Sequence, residues 1–218
     1  IKTLKKNTLL TVNKIQALVN INKNLEILNI IRKEYNRKFK NKIDFDTVCK
    51  NIILNNKQKR RFDSINTIII KVLLQNFLNK KFRNYLIDLL FKKFLPNKNN
   101  LINKKIYMNL DDLKKLQHDG HEIGCHFYSH EWLENMTEKQ LKTEINVSIN
   151  FFKNNFNIKS KNLTACYPYG SYNIIVKDYL KKVGIKYALT THVNNFDTTK
   201  NNRLEIPRFD ANDYKKKF

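Results

Sequence analysis

Cysteine is scarce in this sequence, which contains three cysteines among its 218 residues. Cys49, Cys125 and Cys166 are too few and too irregularly spaced for a disulfide framework, and their odd number leaves at least one thiol unpaired. Cys125 directly precedes His126, but adjacent residues of a strand point to opposite faces, so we do not expect both side chains to bind one ion. We predict that all three cysteines are small apolar packing residues.

Long apolar runs are absent as well. No stretch of about 18 apolar residues occurs, and the sequence therefore predicts no transmembrane segment. No signal peptide is visible at the start of the sequence. The chain begins with Ile1 instead of Met, so we expect its true start to lie upstream, and the cellular location stays open.

Acidic residues are outnumbered by basic ones, 19 to 42, which gives a formal net charge of +23. Such an excess attracts phosphates, acidic glycans or anionic membrane surfaces. The lysines, however, are spread over the whole chain and no nucleic-acid-binding motif accompanies them. We interpret the charge as compositional and expect no specific nucleic-acid partner, although a basic nucleic-acid-binding protein stays an alternative hypothesis.

Apolar and aromatic residues are plentiful. The chain is 41% hydrophobic, with 14 Phe and 10 Tyr, which is typical of a packed domain and not of a disordered chain. Its length suits one domain with an appended subdomain. We find no internal repeat.

Residues 1–96 predict a mainly helical segment or insertion. Apolar residues recur at helical spacing between residues 22 and 40, a short helix is predicted over residues 12–19, and a last helix stops at Pro96. This segment holds no cluster of chemically suggestive residues, so we expect it to be a scaffold or the wall of a groove. The candidate helix caps are Asp44 or Asp46, Ser64 or Asn66, and Asn79.

Residues 97–218 predict alternating helices and strands. Asn109 begins a helix that ends near Gly120, and Thr137 with Gln140 forms a capping-box pattern for a helix that runs to about Phe156. Another helix is predicted from about residue 173 to residue 183. The predicted strands are HEIGC (121–125), NLTACYP (162–168), IKYALTT (185–191) and LEIPRFD (204–210). This order favours parallel βα units and the α/β class.

The stretch GHEIGCHFYSHEWLENMT places His126 and His130 four positions apart, where a predicted strand runs into a loop. Imidazole is the usual protein ligand of Zn²⁺ and related ions, and α/β folds tend to place their chemistry at the carboxyl ends of strands. About forty residues later comes Tyr167-Pro168-Tyr169-Gly170, a turn in which two aromatic residues flank a proline. The two histidines are therefore candidate metal ligands. The alternative is a pair of loop histidines satisfied by hydrogen bonds.

These two stretches resemble the second and third motifs of the polysaccharide deacetylases of the NodB-homology type (carbohydrate esterase family 4), over roughly residues 100–213. The resemblance implies a partial, distorted (β/α) barrel of which residues 97–218 are the C-terminal part. It also implies a hydrolase that acts on non-peptide carbon–nitrogen bonds and removes acetyl groups from an N-acetylated glycan or sugar. Metal-activated water would be the nucleophile, with Zn²⁺ the expected ion.

The resemblance also implies roles for single residues. His126 and His130 would be metal ligands, and the backbone N–H of Tyr169 would donate to the developing oxyanion. Gly170 would let the chain turn sharply and Pro168 would fix the approach to that turn. The expected substrate-binding residues are Tyr167, Pro168, Gly170 and Tyr128, with Trp132 a further candidate for the groove, although core packing is at least as common for a single aromatic ring.

Several features depart from the family pattern. The first motif, two aspartates followed by Gly, supplies the family's general base and third metal ligand, and it does not occur here. Asp111 and Asp112 instead begin a helix, so we expect the catalytic aspartates upstream of Ile1 and little turnover by these 218 residues alone. Phe127 stands where the family often has Ser or Thr. His192 lies in roughly the region of the general acid, in a setting that does not match.

Two interpretations of the chain therefore stay open. The chain is either an incomplete catalytic domain or a degenerate relative that binds glycans without hydrolysing them. Arg208 and Asp210 are predicted to form either a buried ion pair beneath the site or part of the solvated surface.

Overall fold

The structure is a computed structural model that describes residues 1–2, 9–40, 43–57, 62–96, 106–199 and 202–214. The chain forms two compact units. We call Thr8–Ile106 the helical unit, and Ile1–Asn7 with Tyr107–Phe218 the βα unit. Across the described ranges, no helix is both long enough and apolar enough to cross a membrane.

The described elements of the helical unit are all helical, as the sequence predicted. Asp44, Ser64 and Asn79 each accept a backbone N–H at the start of a helix, which selects Asp44 and Ser64 from the alternative caps. The fourth helix continues into a π-helical turn, Leu73–Phe77. The helices are α1 (Thr11–Val19), α2 (Asn24–Lys38), α3 (Phe45–Asn56), α4 (Ile65–Val72) and α5 (Lys80–Phe94).

The helical unit has its own hydrophobic core. Each helix turns an apolar stripe inward, and Tyr35 packs against Phe39 and Phe45 at ring-centroid distances of 4.8 and 5.4 Å. Arg32 pairs with Asp46 on the surface. The fully buried aliphatic residues are Ile15, Leu18, Ile27, Ile31, Ile68, Ile70, Leu73, Leu74, Leu86, Ile87 and Leu90.

The βα unit contains the predicted alternation of helices and strands. Both capping boxes are present: Asn109 with Asp112, and Thr137 with Gln140. Gly184, with φ +86°, follows the helix that was predicted to end there. The elements are α6 (Leu110–His118), α7 (Glu138–Phe156), β1 (Thr164–Cys166), α8 (Ile174–Lys182), β2 (Tyr187–Leu189) and α9 (Ala211–Tyr214).

The strands β1 and β2 are parallel, with Ala165 opposite Ala188 in the register. Two single bridges, also parallel, extend this sheet: Cys125 pairs with Ala165 on one side, and Ile206 pairs with Leu189 on the other. The predicted strands HEIGC and LEIPRFD are thus each reduced to one bridging residue. Pairing does not continue along the chain past Cys125, because the backbone enters the left-handed region at Phe127, where φ is +59°. In the described part of the chain the sheet is open, and a closed barrel is not seen.

The core of the βα unit includes both this small sheet and α7. Ala165 and Ala188 are fully buried in the sheet, and Leu141, Ile145 and Phe152 of α7 belong to the same buried cluster. Because the four paired segments are parallel, the residues that follow them emerge at the same edge. This edge therefore collects the segments after Cys125, after β1, after β2 and after Ile206.

Candidate active site

The segment after Cys125, residues 126–132, forms what we call the histidine loop. Phe127 and His130 both have left-handed backbone conformations, with φ +59° and +56°. Residues other than glycine rarely adopt this region, and they keep it when surrounding contacts hold them there. Phe127 is held by its buried ring, which stacks on Tyr167 with centroids 6.4 Å apart, and by its N–H, which donates to Sγ of Cys125 at 3.4 Å.

His126 has a defined tautomer. Its Nδ1 lies 2.7 Å from the carbonyl oxygen of Cys166, at the end of β1. A carbonyl oxygen can accept but not donate, so Nδ1 carries the proton and Nε2 keeps its lone pair. An imidazole whose other nitrogen donates to a backbone carbonyl is the form in which histidine usually binds metals.

His130 stands against His126, edge to face. The ring centroids are 4.7 Å apart and the planes are inclined by 82°. Nδ1 of His130 is buried and has no hydrogen-bond partner of good geometry among the described residues. Burial, and then the neighbouring His126 ring, lower the pKa of His130 to about 4. Burial also lowers the pKa of His126. Both imidazoles are therefore neutral at pH 7, which is the protonation state that metal ions require.

The turn Pro168–Gly170 after β1 meets the histidine loop. Tyr169 and Gly170 have φ +59° and +70°. A Cβ on Gly170 would collide with Oγ1 of Thr191, so this position has room for glycine alone. The Tyr169 ring lies edge-on to His130 at 4.8 Å and stacks on Trp132 at 4.9 Å. The predicted turn residues and the predicted histidines are thus brought together at one edge of the sheet.

Two of the predicted substrate-binding residues are buried. Tyr167 is fully buried, its hydroxyl donates to the carbonyl of Leu204 at 3.0 Å, and its ring stacks on Tyr172 at 4.7 Å. Tyr167 is therefore a core residue, and its ring cannot contact a ligand in a surface groove. Pro168 is buried too and shapes the turn from below. Tyr128 is partly exposed in the histidine loop, where its carbonyl accepts the N–H of Lys2 at 3.1 Å.

Glu144 of α7 is part of the same neighbourhood and was not singled out from the sequence. It is 5% exposed, and its two carboxyl oxygens accept the N–H and the hydroxyl of Ser129 at 2.5 and 2.8 Å. A signal for it does exist in the sequence. Glu144 falls in the buried stripe of α7 beside Leu141 and Ile145, where an unpaired acid would be costly.

The segments after β2 and after Ile206 complete this edge. His192 lies edge-on to Tyr172 with ring centroids 6.3 Å apart, and its carbonyl accepts the N–H of Arg208 at 2.8 Å. The charge of Arg208 contributes to the lowered pKa of His126. The side chains of Arg208 and Asp210 are both exposed, in agreement with the surface alternative.

The donor set fits a metal ion in part. Two neutral imidazoles in van der Waals contact, one with a fixed tautomer and one with a buried unpartnered nitrogen, suit a borderline ion such as Zn²⁺. Within the ranges that the structure describes, no group of three His, Cys, Asp or Glu side chains is placed to hold one ion. Cys125 is not part of any such group, and its Sγ instead accepts the N–H of Phe127 at 3.4 Å.

Comparison with known proteins gives one family and two solved structures. The family model described as polysaccharide deacetylase matches residues 74–188, just over half of the chain. The Streptococcus pyogenes deacetylase PplD in complex with acetate is 20% identical over 54% of this chain and 47% of that one, with a TM-score of 0.43. The BpsB deacetylase domain from Bordetella bronchiseptica is 14% identical over 47% of this chain and 48% of that one, with a TM-score of 0.38. The chain thus spans about half the length of these structures, and no curated protein matches it.

Proposed function

The chain belongs to the polysaccharide deacetylase family, and from that premise we propose that it is a metal-dependent hydrolase that removes an N-acetyl group from a carbohydrate. The observation that carries this proposal is the contact between the rings of His126 and His130, whose centroids are 4.7 Å apart. Both imidazoles are neutral, and they lie beside the turn Pro168–Gly170. Residues 97–218 would be the C-terminal part of a distorted (β/α) barrel, and the parallel order of the paired segments supports this.

His126 and His130 would hold the ion, with Zn²⁺ the best match to two nitrogen donors. When bound, such an ion lowers the pKa of a coordinated water and polarises an acyl carbonyl. The hydrogen bond from Nδ1 of His126 to the Cys166 carbonyl orients the first ring, and the packing of His130 against Tyr169 orients the second. The remaining ligands and the general base are not assigned to residues of this chain.

Tyr169 would contribute its backbone N–H to the oxyanion that develops when water attacks an amide carbonyl. The support for this role is conformational. The left-handed φ of Tyr169 and Gly170 turns the peptide sharply next to the His130 ring. A fixed backbone donor costs no reorganisation during the reaction, and the tight fit of Gly170 against Thr191 keeps this one in place.

The substrate would lie along the partly exposed aromatic residues at this edge. Tyr128, Tyr169 and Trp132 are partly exposed and present ring surface on which a sugar can pack, and Gly170 would shape the turn beside them. Pro168 would act indirectly, by fixing the turn. Tyr167 has no place in this groove, because its ring is in the core.

Zinc binding tests the proposal directly. We expect the full chain to bind one Zn²⁺ in a calorimetric titration and the variant His126→Ala/His130→Ala to bind none. The exposed pair His118 and His121 provides the matched control, since His118→Ala/His121→Ala should leave the stoichiometry unchanged. Full zinc binding by the His126/His130 double variant would overturn the assignment.

Glycan binding separates the enzyme from a non-catalytic glycan-binding relative. In the enzyme an ion beside the acyl carbonyl contributes to substrate affinity, so Zn²⁺ should tighten the binding of N-acetylglucosamine oligomers and not of glucosamine oligomers. The non-catalytic relative predicts an affinity that does not change with zinc. Preferential binding to mixed-sequence DNA at physiological salt would favour the nucleic-acid alternative instead.

A further inference from the structure

Glu144 forms a pair of hydrogen bonds to a single residue of the histidine loop. Oε1 accepts the backbone N–H of Ser129 at 2.5 Å, and Oε2 accepts the Ser129 hydroxyl at 2.8 Å. The residue is 5% exposed, and an acid is tolerated at such a position when its oxygens are hydrogen-bonded. Both of these oxygens are used by Ser129, which is the residue directly before His130.

The loop needs such an anchor at this point. His130 has a left-handed φ of +56°, which a residue with a side chain keeps when neighbouring contacts hold it. At the other end of the loop, Phe127 is held by its own buried ring. The His130 ring touches His126 and Tyr169, which are themselves near the surface. Leu133, just after the loop, is buried as well, and Ser129 provides the attachment to a buried residue on the other side of His130.

The carboxylate sits on a rigid support. Glu144 lies in the second turn of α7, a helix of 19 residues that begins with the capping box of Thr137 and Gln140. Its neighbours Leu141 and Ile145 are buried in the core of the βα unit. Because the Glu144 side chain is buried and its helix is packed in the core, its hydrogen bonds hold Ser129 at a fixed position relative to α7.

We propose that Glu144 is a positioning residue that holds His130 beside His126 by locking the backbone and hydroxyl of Ser129. The expected effect on metal affinity rests on the proposed metal-binding function. Residues that hydrogen-bond to the loop of a metal ligand set the orientation of that ligand and hence the affinity for the metal. The structural part of the inference, the locking of the loop, stands without a metal. Glu144 itself is 5% exposed, and we assign it no contact with substrate.

The test compares two substitutions of Glu144 in the full chain. Glu144→Ala removes both acceptors, and we expect zinc affinity to fall about 10–100-fold, as is typical for the loss of a residue that orients a ligand. Glu144→Gln keeps the acceptor for the Ser129 N–H and presents an amide to the hydroxyl oxygen, so the affinity should stay within about threefold of the parent. A loss in Glu144→Gln as large as that in Glu144→Ala would mean that charge alone is responsible, and would overturn the proposal.

Two controls separate positioning from general destabilisation. Ile145→Val weakens the same helix by removing one buried methyl group and does not touch Ser129. Glu138→Ala removes an exposed acid from the same helix, where it pairs with Lys142. We expect both variants to bind zinc as the parent does. If Ile145→Val weakened zinc binding as much as Glu144→Ala, the role of Glu144 would be merely structural.

A second measurement needs no metal. Hydrogen exchange of the Ser129 amide, followed by NMR in the metal-free chain, should be at least about tenfold faster in Glu144→Ala, while amides in the middle of α7 keep their protection. Unchanged Ser129 exchange would overturn the proposal. If the parent chain bound no zinc, the proposed function would fail, and this exchange experiment would still decide the role of Glu144.

Ser129→Ala provides a milder variant in case Glu144→Ala does not fold. It removes the hydroxyl bond and leaves the backbone bond, so zinc affinity should fall by an intermediate factor, roughly threefold to tenfold. In the Glu144→Ala background the same change should have no further effect, because the partner is already missing. Additive effects of the two substitutions would contradict the coupling between these residues.

Discussion

The indole of Trp132 lies flat on the phenol ring of Tyr169, with centroids 4.9 Å apart and planes 8° from parallel. This stack joins the histidine loop to the turn after β1, two segments that are separated by more than thirty residues in the sequence. Tyr169 also meets His130 edge-on at 4.8 Å, so the three rings form one continuous assembly. Trp132 is the single tryptophan of the chain, and its fluorescence therefore reports on this assembly alone.

Replacement of Trp132 should weaken the contact between the histidine loop and the turn after β1. Trp132→Ala removes the stack, and we expect a loss of about 2–3 kcal/mol in the free energy of unfolding, measured by urea denaturation followed by circular dichroism. Trp132→Phe keeps an aromatic face and should lose less than half of that. Equal losses in the two variants would show that stacking on Tyr169 contributes little.

Gly170→Ala should be more harmful than another glycine substitution with a similar backbone conformation. Gly170 has φ +70° and faces Thr191, whereas Gly120 has φ +89° and nothing within 4 Å of a built Cβ. Gly120→Ala should cost about 1 kcal/mol from its backbone conformation, and Gly170→Ala about 2–4 kcal/mol because a collision is added.

The same collision predicts a rescue. Thr191→Ala removes the two closest atoms, Oγ1 and Cγ2, that meet the added Cβ, so the double variant Gly170→Ala/Thr191→Ala should recover much of the stability lost in Gly170→Ala. Thermal unfolding of the parent, the two single variants and the double variant measures the coupling between Gly170 and Thr191. Without recovery, the close approach of Thr191 would not be the cause of the glycine requirement.

The pKa of His130 makes stability depend on pH in the metal-free chain. The folded protein holds this pKa at about 4, below the ordinary value of 6.5, because the ring is buried beside His126. Between these two values the unfolded chain binds more protons than the folded one, so stability is full above about pH 6.5 and declines as the pH falls toward 4. Chemical denaturation at several pH values, with a chelator present, measures this.

His130→Gln is the control for that experiment, because glutamine does not titrate. The variant should show a weaker decline in stability between pH 6.5 and 4 than the parent chain. A parent and a variant with the same pH profile would mean that His130 is not the group responsible.

Cys125 should resist alkylation in the folded chain. It is 2% exposed, and burial raises the pKa of its thiol to about 11, so that at pH 8 only about one molecule in a thousand carries the thiolate. Mass spectrometry after iodoacetamide treatment should find Cys166, which is half-buried, modified before Cys125. Equal labelling of the two cysteines without denaturant would contradict the burial of Cys125.

Local sequence signals predicted most of the helices of this fold. Asn109 and Thr137 begin helices because their side chains accept backbone N–H groups three residues ahead, and such bonds depend on neighbours in sequence. The parallel order of the strand segments was also predicted, since helices alternate with apolar stretches after residue 109. The spacing of His126 and His130, and the composition of the turn at Tyr169, were enough to indicate the family.

The amino-acid sequence by itself thus determined the helix boundaries, the chain order and the candidate ligands, because each of these follows from residues close together in the chain. The tertiary structure alone decided that Tyr167 turns into the core, that the outer strands shrink to single bridges at Cys125 and Ile206, and that Glu144 holds Ser129. Those outcomes depend on contacts across the sheet and between α7 and the histidine loop. Such contacts are fixed by packing among segments that are distant in the sequence, and no local pattern of residues specifies them.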